Sequence, residues 1–98
     1  MKVDYDAGFD VCTVAARQAL RDLDLVVIGG ELHSSEARID ARSDLTDVVR
    51  ITLASPEGGK TRVTFHSGRS WDPNAKDLVG QLKDAFERHL NQPAGKQP

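Results

Sequence analysis

The side chains in this sequence most able to bind a metal are three histidines and one cysteine. His33, His66 and His89 fall in three separate stretches with no close pair, and Cys12 is the only cysteine. Zinc sites use ligand pairs a few residues apart, because one short loop or helical turn then holds two donors at fixed geometry. The spacing therefore predicts no metal and no cofactor. The serines Ser34, Ser35, Ser67 and Ser70 stand in no signature that supplies an adjacent base. Gly29-Gly30 and Gly58-Gly59 lack the lysine of a phosphate loop and the spacing of a dinucleotide fingerprint, and read as turn and bulge residues. Asp4, Asp6 and Asp10 gather near a helix start, where carboxylates are favoured without catalytic duty. No catalytic residue is assigned, and an enzyme is the less favoured reading.

A different chemistry is written on alternating residues. Ala37, Ile39 and Ala41 alternate with Arg38, Asp40 and Arg42, Val49 and Ile51 with Arg50 and Thr52, and Val63 and Phe65 with Arg62, Thr64 and His66. In strands this period of two sends Arg38, Arg42, Arg50 and Arg62 to one polar face. The plain reading of such a face is a solvated surface with cross-strand pairs such as Asp40 with an arginine. The functional reading is a surface for an acidic partner or polyanion, since the guanidinium fork matches carboxylate and phosphate. No aromatic residue is interleaved there to stack bases, so nucleic acid is not the expected partner. Trp71, in the loop Gly68-Arg69-Ser70-Trp71-Asp72, suits a hydrophobic staple on the following helix; exposed beside Arg69 it would instead anchor a partner.

These residues need elements to position them. Val3 and Tyr5 fit a short edge strand. Phe9, Cys12, Ala16, Ala19, Leu20 and Leu23 follow helical spacing, which predicts an amphipathic helix over residues 8–23, with Asp6 or Asp10 as the N-terminal acceptor. Asp24 then tolerates the left-handed conformation that ends many helices. Leu25 to Leu32 reads as a strand that Gly29-Gly30 bends or bulges. The three alternating stretches follow, joined by hairpins through Ser43-Asp44-Leu45-Thr46 and Pro56-Glu57-Gly58-Gly59. Asp72-Pro73 opens a second helix over about residues 73–90, carrying Leu78, Val79, Leu82, Phe86 and Leu90. The apolar residues of the sheet are expected on one parity, so both helices cover the same face. The fold class is α+β: a two-layer sandwich of an antiparallel sheet of four to five strands under two helices, in the order β-α-β-β-β-β-α.

The 98 residues suffice for one domain, assigned to 1–90, with 91–98 as a disordered tail. Thirteen Lys and Arg against fifteen Asp and Glu leave a formal charge of −2, so no positive field drives non-specific binding to nucleic acid. A single cysteine forms no internal disulfide, so the core alone supplies stability. Met1-Lys2-Val3-Asp4-Tyr5-Asp6 contains no apolar signal region, and Leu25-Val26-Val27-Ile28 is far shorter than the roughly 18 residues of a membrane helix. Neither a signal peptide nor a membrane span is expected. Cys12, preceded by Phe9-Asp10-Val11, reads as a buried helix residue rather than a lipid-attachment site.

The stretch from Cys12-Thr13-Val14-Ala15-Ala16 through Arg17-Gln18-Ala19-Leu20-Arg21-Asp22-Leu23-Asp24-Leu25 resembles the first helix of a small bacterial envelope family, a domain of unknown function whose members are often lipoproteins. Ala37-Arg38-Ile39-Asp40-Ala41-Arg42, Val48-Val49-Arg50-Ile51, Thr61-Arg62-Val63-Thr64-Phe65 and Gly68 follow in that family's order, and Asp24 stands where it usually has Gly. The resemblance rests on packing and turn residues. It implies an envelope-associated accessory domain with no established enzymatic role, periplasmic where an export signal has been removed and cytoplasmic otherwise.

The reading is therefore a non-catalytic interaction or scaffold domain, with a protein partner or self-association and with Arg38, Arg42, Arg50, Arg62 and Trp71 as surface candidates. The alternative is a small-molecule-binding domain or small enzyme that uses a pocket between sheet and helices, enlarged by a bulge at Gly29-Gly30.

Overall fold

The computed structural model describes residues 1–43, 48–55, 59–68 and 73–91. Five strands and two helices follow the expected order: β1 (Lys2–Tyr5), α1 (Phe9–Asp22), β2 (Val26–Leu32), β3 (Glu36–Arg42), β4 (Val49–Ala54), β5 (Thr61–Ser67) and α2 (Pro73–Leu90). The strands form one antiparallel sheet in the order β1-β5-β4-β3-β2. The chain thus places β1 and β2, neighbours in sequence apart from α1, at opposite edges.

Helix α1 forms because small and apolar residues recur on one stripe, and Cys12, Ala15, Ala16, Ala19 and Leu20 are all buried. Its start corrects the sequence expectation. Gly8 is the N-cap and no side chain caps the helix. Helical backbone begins at Phe9, so Asp10 already lies in the first turn, where its charge still suits the positive end of the dipole. The other end follows expectation in detail. Asp24 adopts φ 58°, its N–H reaches the Arg21 carbonyl at 3.0 Å, and Leu25 N–H reaches the Leu20 carbonyl at 2.9 Å. That is a Schellman closure with an aspartate in the left-handed position, and Leu20 and Leu25 complete it by packing together in the core.

The core lies between α1, α2 and one face of the sheet. Ile39, Ile51, Leu53, Val63 and Phe65 project from the strands onto Leu20, Leu82 and Phe86. Phe86 meets Phe65 edge-on at 5.4 Å and Tyr5 at 5.0 Å between ring centroids, which ties β1 and β5 to α2. The Tyr5 hydroxyl donates to Glu87 Oε2 at 2.8 Å, and Lys83 Nζ lies 2.8 Å from the same oxygen. Thr61, fully buried, donates its hydroxyl to the Ala7 carbonyl at 2.8 Å, so its polar atom is satisfied.

One expectation fails at β2. The apolar residues of β3, β4 and β5 keep to one parity, but β2 is exposed at every position and carries aliphatic residues on both faces. β2 is an edge strand, and an open groove separates its helix-side residues Val27 and Leu32 from Thr13 and Arg17 of α1. The glycine reading holds: the register slips between Val27 and Gly29, and Gly30 sits at φ +145° with the Arg38 carbonyl only 2.1 Å from where a Cβ would be. The turn residues Asp44-Leu45-Thr46 and Pro56-Glu57-Gly58, the capping Asp72 and the tail 92–98 lie outside the described residues.

Candidate functional site

The strand register brings the four arginines to the face opposite the helices. Asp40 pairs across with Arg50, Arg38 with Thr52, Arg50 with His66 and Arg62 with Asp4. Carboxylates occupy the same face and largely neutralise it. Arg50 Nε donates to Asp40 Oδ1 at 2.7 Å, while Arg38 Nε approaches the other oxygen at 3.4 Å as an ion pair without a hydrogen bond. Asp40 is only 14% exposed, so the two guanidiniums hold a carboxylate largely withdrawn from water. Arg38 also faces Glu31 at 3.6 Å. Arg62 stands apart, about 13 Å further along the strands, and forks onto Asp4 at 2.7 and 3.2 Å. Its hydrogen bond holds the Asp4 carboxyl below the ordinary range. Arg42 is exposed and makes no ion pair with a described residue. Among the described residues the arginine face is thus a balanced polar surface, with only the Arg42 guanidinium, beside the start of β2, outside an ion pair. Trp71 and Arg69 lie outside the described residues.

Two of the histidines sit against carboxylates. His89 Nε2 lies 2.6 Å from Asp22 Oδ2 and Arg88 lies 3.5 Å from it, a clamp between the C-terminal turns of α2 and α1 that lowers the Asp22 carboxyl. His33 Nε2 is 3.2 Å from Glu31 Oε1 in the turn after β2, and this contact, with Arg38, lowers Glu31. His66 is exposed on the polar face. Among the described residues no three metal-ligating side chains come together. Cys12 is enclosed in the core, where burial pushes its thiol up and keeps it protonated.

The feature that sequence reasoning passed over is the free edge of β2. Val26, Val27, Ile28 and Leu32 are between 52% and 65% exposed. Pairing with Ala41 and Ala37 turns Val27 and Leu32 toward the helix side, whereas Val26 pairs with Arg42 on the arginine side. Ile28, extruded by the bulge, joins Val26, Arg42, Asp24 and Ser43 around a shallow depression of about 280 Å³ on that side. On the helix side an open groove of about 390 Å³ runs between α1 and β2, lined by Thr13, Arg17, Val27, Leu32, Arg38 and Ile39 among others. The opposite edge contrasts: β1 has four residues, includes Lys2 and Asp4, and turns Tyr5 into the aromatic cluster. A signal was present, since three consecutive aliphatic residues at 26–28 cannot all face one side of a strand. The sequence matches no family model and no curated protein.

Proposed function

We propose that this domain is a non-catalytic interaction module that docks an extended segment of a protein partner along the free edge of β2. The observation that carries this reading is the asymmetry of the two sheet edges. Folded proteins blunt exposed edges with charge, proline or brevity, because unpaired backbone groups template further pairing. β1 follows that rule. β2, seven residues long, exposes four aliphatic side chains and a single charge. Strand addition takes affinity from main-chain hydrogen bonds and specificity from alternate side chains, which here are offered on both faces.

Selection from a displayed library of random peptides tests this. Enriched peptides are expected to be poor in proline and aliphatic at alternate positions, and to lose binding to folded Val27→Lys and Ile28→Lys variants. Absence of enrichment, or binding indifferent to both substitutions, overturns the reading. A second reading, a small-molecule site in the groove between α1 and β2, draws on a volume within the roughly 300 to 1,000 Å³ common for such sites. Fragment binding that shifts backbone signals of Thr13 and Arg17 together with those of Val27 and Leu32, and that the selected peptides do not displace, would favour it. An envelope location rests on the family resemblance alone and is tested by cell fractionation of the tagged protein.

A further inference from the structure

We infer that the strand received by β2 is β2 of a second copy, running antiparallel about a two-fold axis perpendicular to the sheet, so that two five-stranded sheets join into one of ten. This rests on the docking reading above and names its partner.

The first argument is geometric. In an antiparallel pair, directly opposite residues point to the same face. Pairing with β3 fixes the faces of β2: Val27, Gly30 and Leu32 lie on the helix side, Val26, Gly29 and Glu31 on the arginine side, and the bulged Ile28 beside Val26. Only one two-fold register then matches faces throughout Val26 to Glu31. It sets Val26 against Glu31 of the second copy, Val27 against its Gly30, and Ile28 against its Gly29. A shift by one or two residues puts a helix-side residue opposite an arginine-side residue. The same register sets the bulky Val27 and Ile28 each opposite a glycine, and at Gly29, whose nearest neighbour is the Asp40 carboxylate at 3.9 Å, there is room for the Ile28 side chain.

The second argument is charge. Arg42 is adjacent to Val26 on β3, exposed and without an ion pair to a described residue. With strands about 4.8 Å apart, Glu31 of the second copy, just across Val26, comes to about 10 Å from Arg42 between backbones, within the joint reach of the two side chains. The two-fold axis repeats this pair, so two Arg42–Glu31 contacts flank the aliphatic centre. The edges also differ in what they allow. Pairing β2 with the short, charged β1 of another copy would be head-to-tail and open-ended, whereas the β2 pair closes on itself as a dimer.

Sedimentation or light scattering across concentration, up to about 1 mM, provides the test. The mass is expected to rise toward twice the monomer value, and Ile28→Lys, at an exposed position that folding does not need, is expected to abolish the rise. Glu31→Arg and Arg42→Glu are each expected to weaken association about tenfold, with recovery when combined. The double variant Val26→Cys, Glu31→Cys should oxidise to a covalent dimer while each single variant does not; Cys12 is buried and does not compete. A monomer mass throughout, or no covalent dimer beyond that of the single variants, overturns the inference. If such a monomer still binds selected peptides, the docking reading stands and only the self-partner falls; if it binds none, both fall.

Discussion

Asp40 is the residue on which the arginine face turns. Its carboxylate is nearly buried, and Arg50 donates a 2.7 Å hydrogen bond to it, with Arg38 close behind. A double-mutant cycle between Arg50→Ala and Asp40→Ala should return a coupling of about 0.2 to 1 kcal/mol, as partly exposed pairs do; a coupling of zero in urea unfolding would show that the pair is ornamental. Tyr5 makes a second residue-level case. Burial and the neighbouring Glu87 carboxylate both push its phenol up, beyond the ordinary range. The unfolded chain ionises tyrosine at about pH 10, so this contribution to stability is complete below that pH and is lost as pH rises toward the folded value. Tyr5→Phe should flatten the alkaline limb of the stability curve. Identical alkaline limbs for the two proteins would refute the assignment.

At the scale of elements, β2 is held by a glycine that nothing else can replace. Gly30 combines φ +145° with a Cβ position blocked by the Arg38 backbone, so Gly30→Ala should destabilise by about 1 to 3 kcal/mol. Gly29 has open space, its nearest neighbour being the Asp40 carboxylate at 3.9 Å, and Gly29→Ala should change little. Comparing the two melting midpoints separates a constrained backbone from a general dislike of side chains at this edge. On the opposite layer, Phe86 is fully buried and bridges Phe65 and Tyr5. Phe86→Ala should cost about 3 to 5 kcal/mol, much of what so small a domain has. An unchanged chemical-denaturation midpoint would mean that α2 does not seat where the structure has it.

For the molecule as a whole, charge sets the acid limit. Asp4, Asp22, Glu31 and Glu87 are all held below the usual carboxylate range, chiefly by hydrogen bonds from Arg62, His89, His33 and Lys83 respectively. A carboxyl depressed in the folded state stabilises it above the unfolded value, about pH 4, and that stability is lost as pH falls through the folded value. The protein should therefore hold its stability down to about pH 5 and lose it progressively below about pH 4. The combined Asp22→Asn and Glu87→Gln variant should show a shallower acid loss; a slope as steep as that of the parent would assign the acid limit to other groups. No helix among the described residues is long and apolar enough to cross a membrane.

The sequence by itself determined the elements and their order, because period-two and helical spacing are local properties of the chain. It also determined Asp24 as the left-handed helix end, the irregularity at Gly29-Gly30, and the shared face of Arg38, Arg42, Arg50 and Arg62, each of which follows from backbone conformation within a few residues. Tertiary structure alone decided which arginines are neutralised, since Asp4 and Arg62 are 58 residues apart and meet only because β1 pairs with β5. It also decided that His89 clamps Asp22. Above all it decided which strand goes uncovered: β2 is the most apolar stretch of the chain, yet the sheet order puts it at an edge, and that placement leaves a core-like sequence exposed.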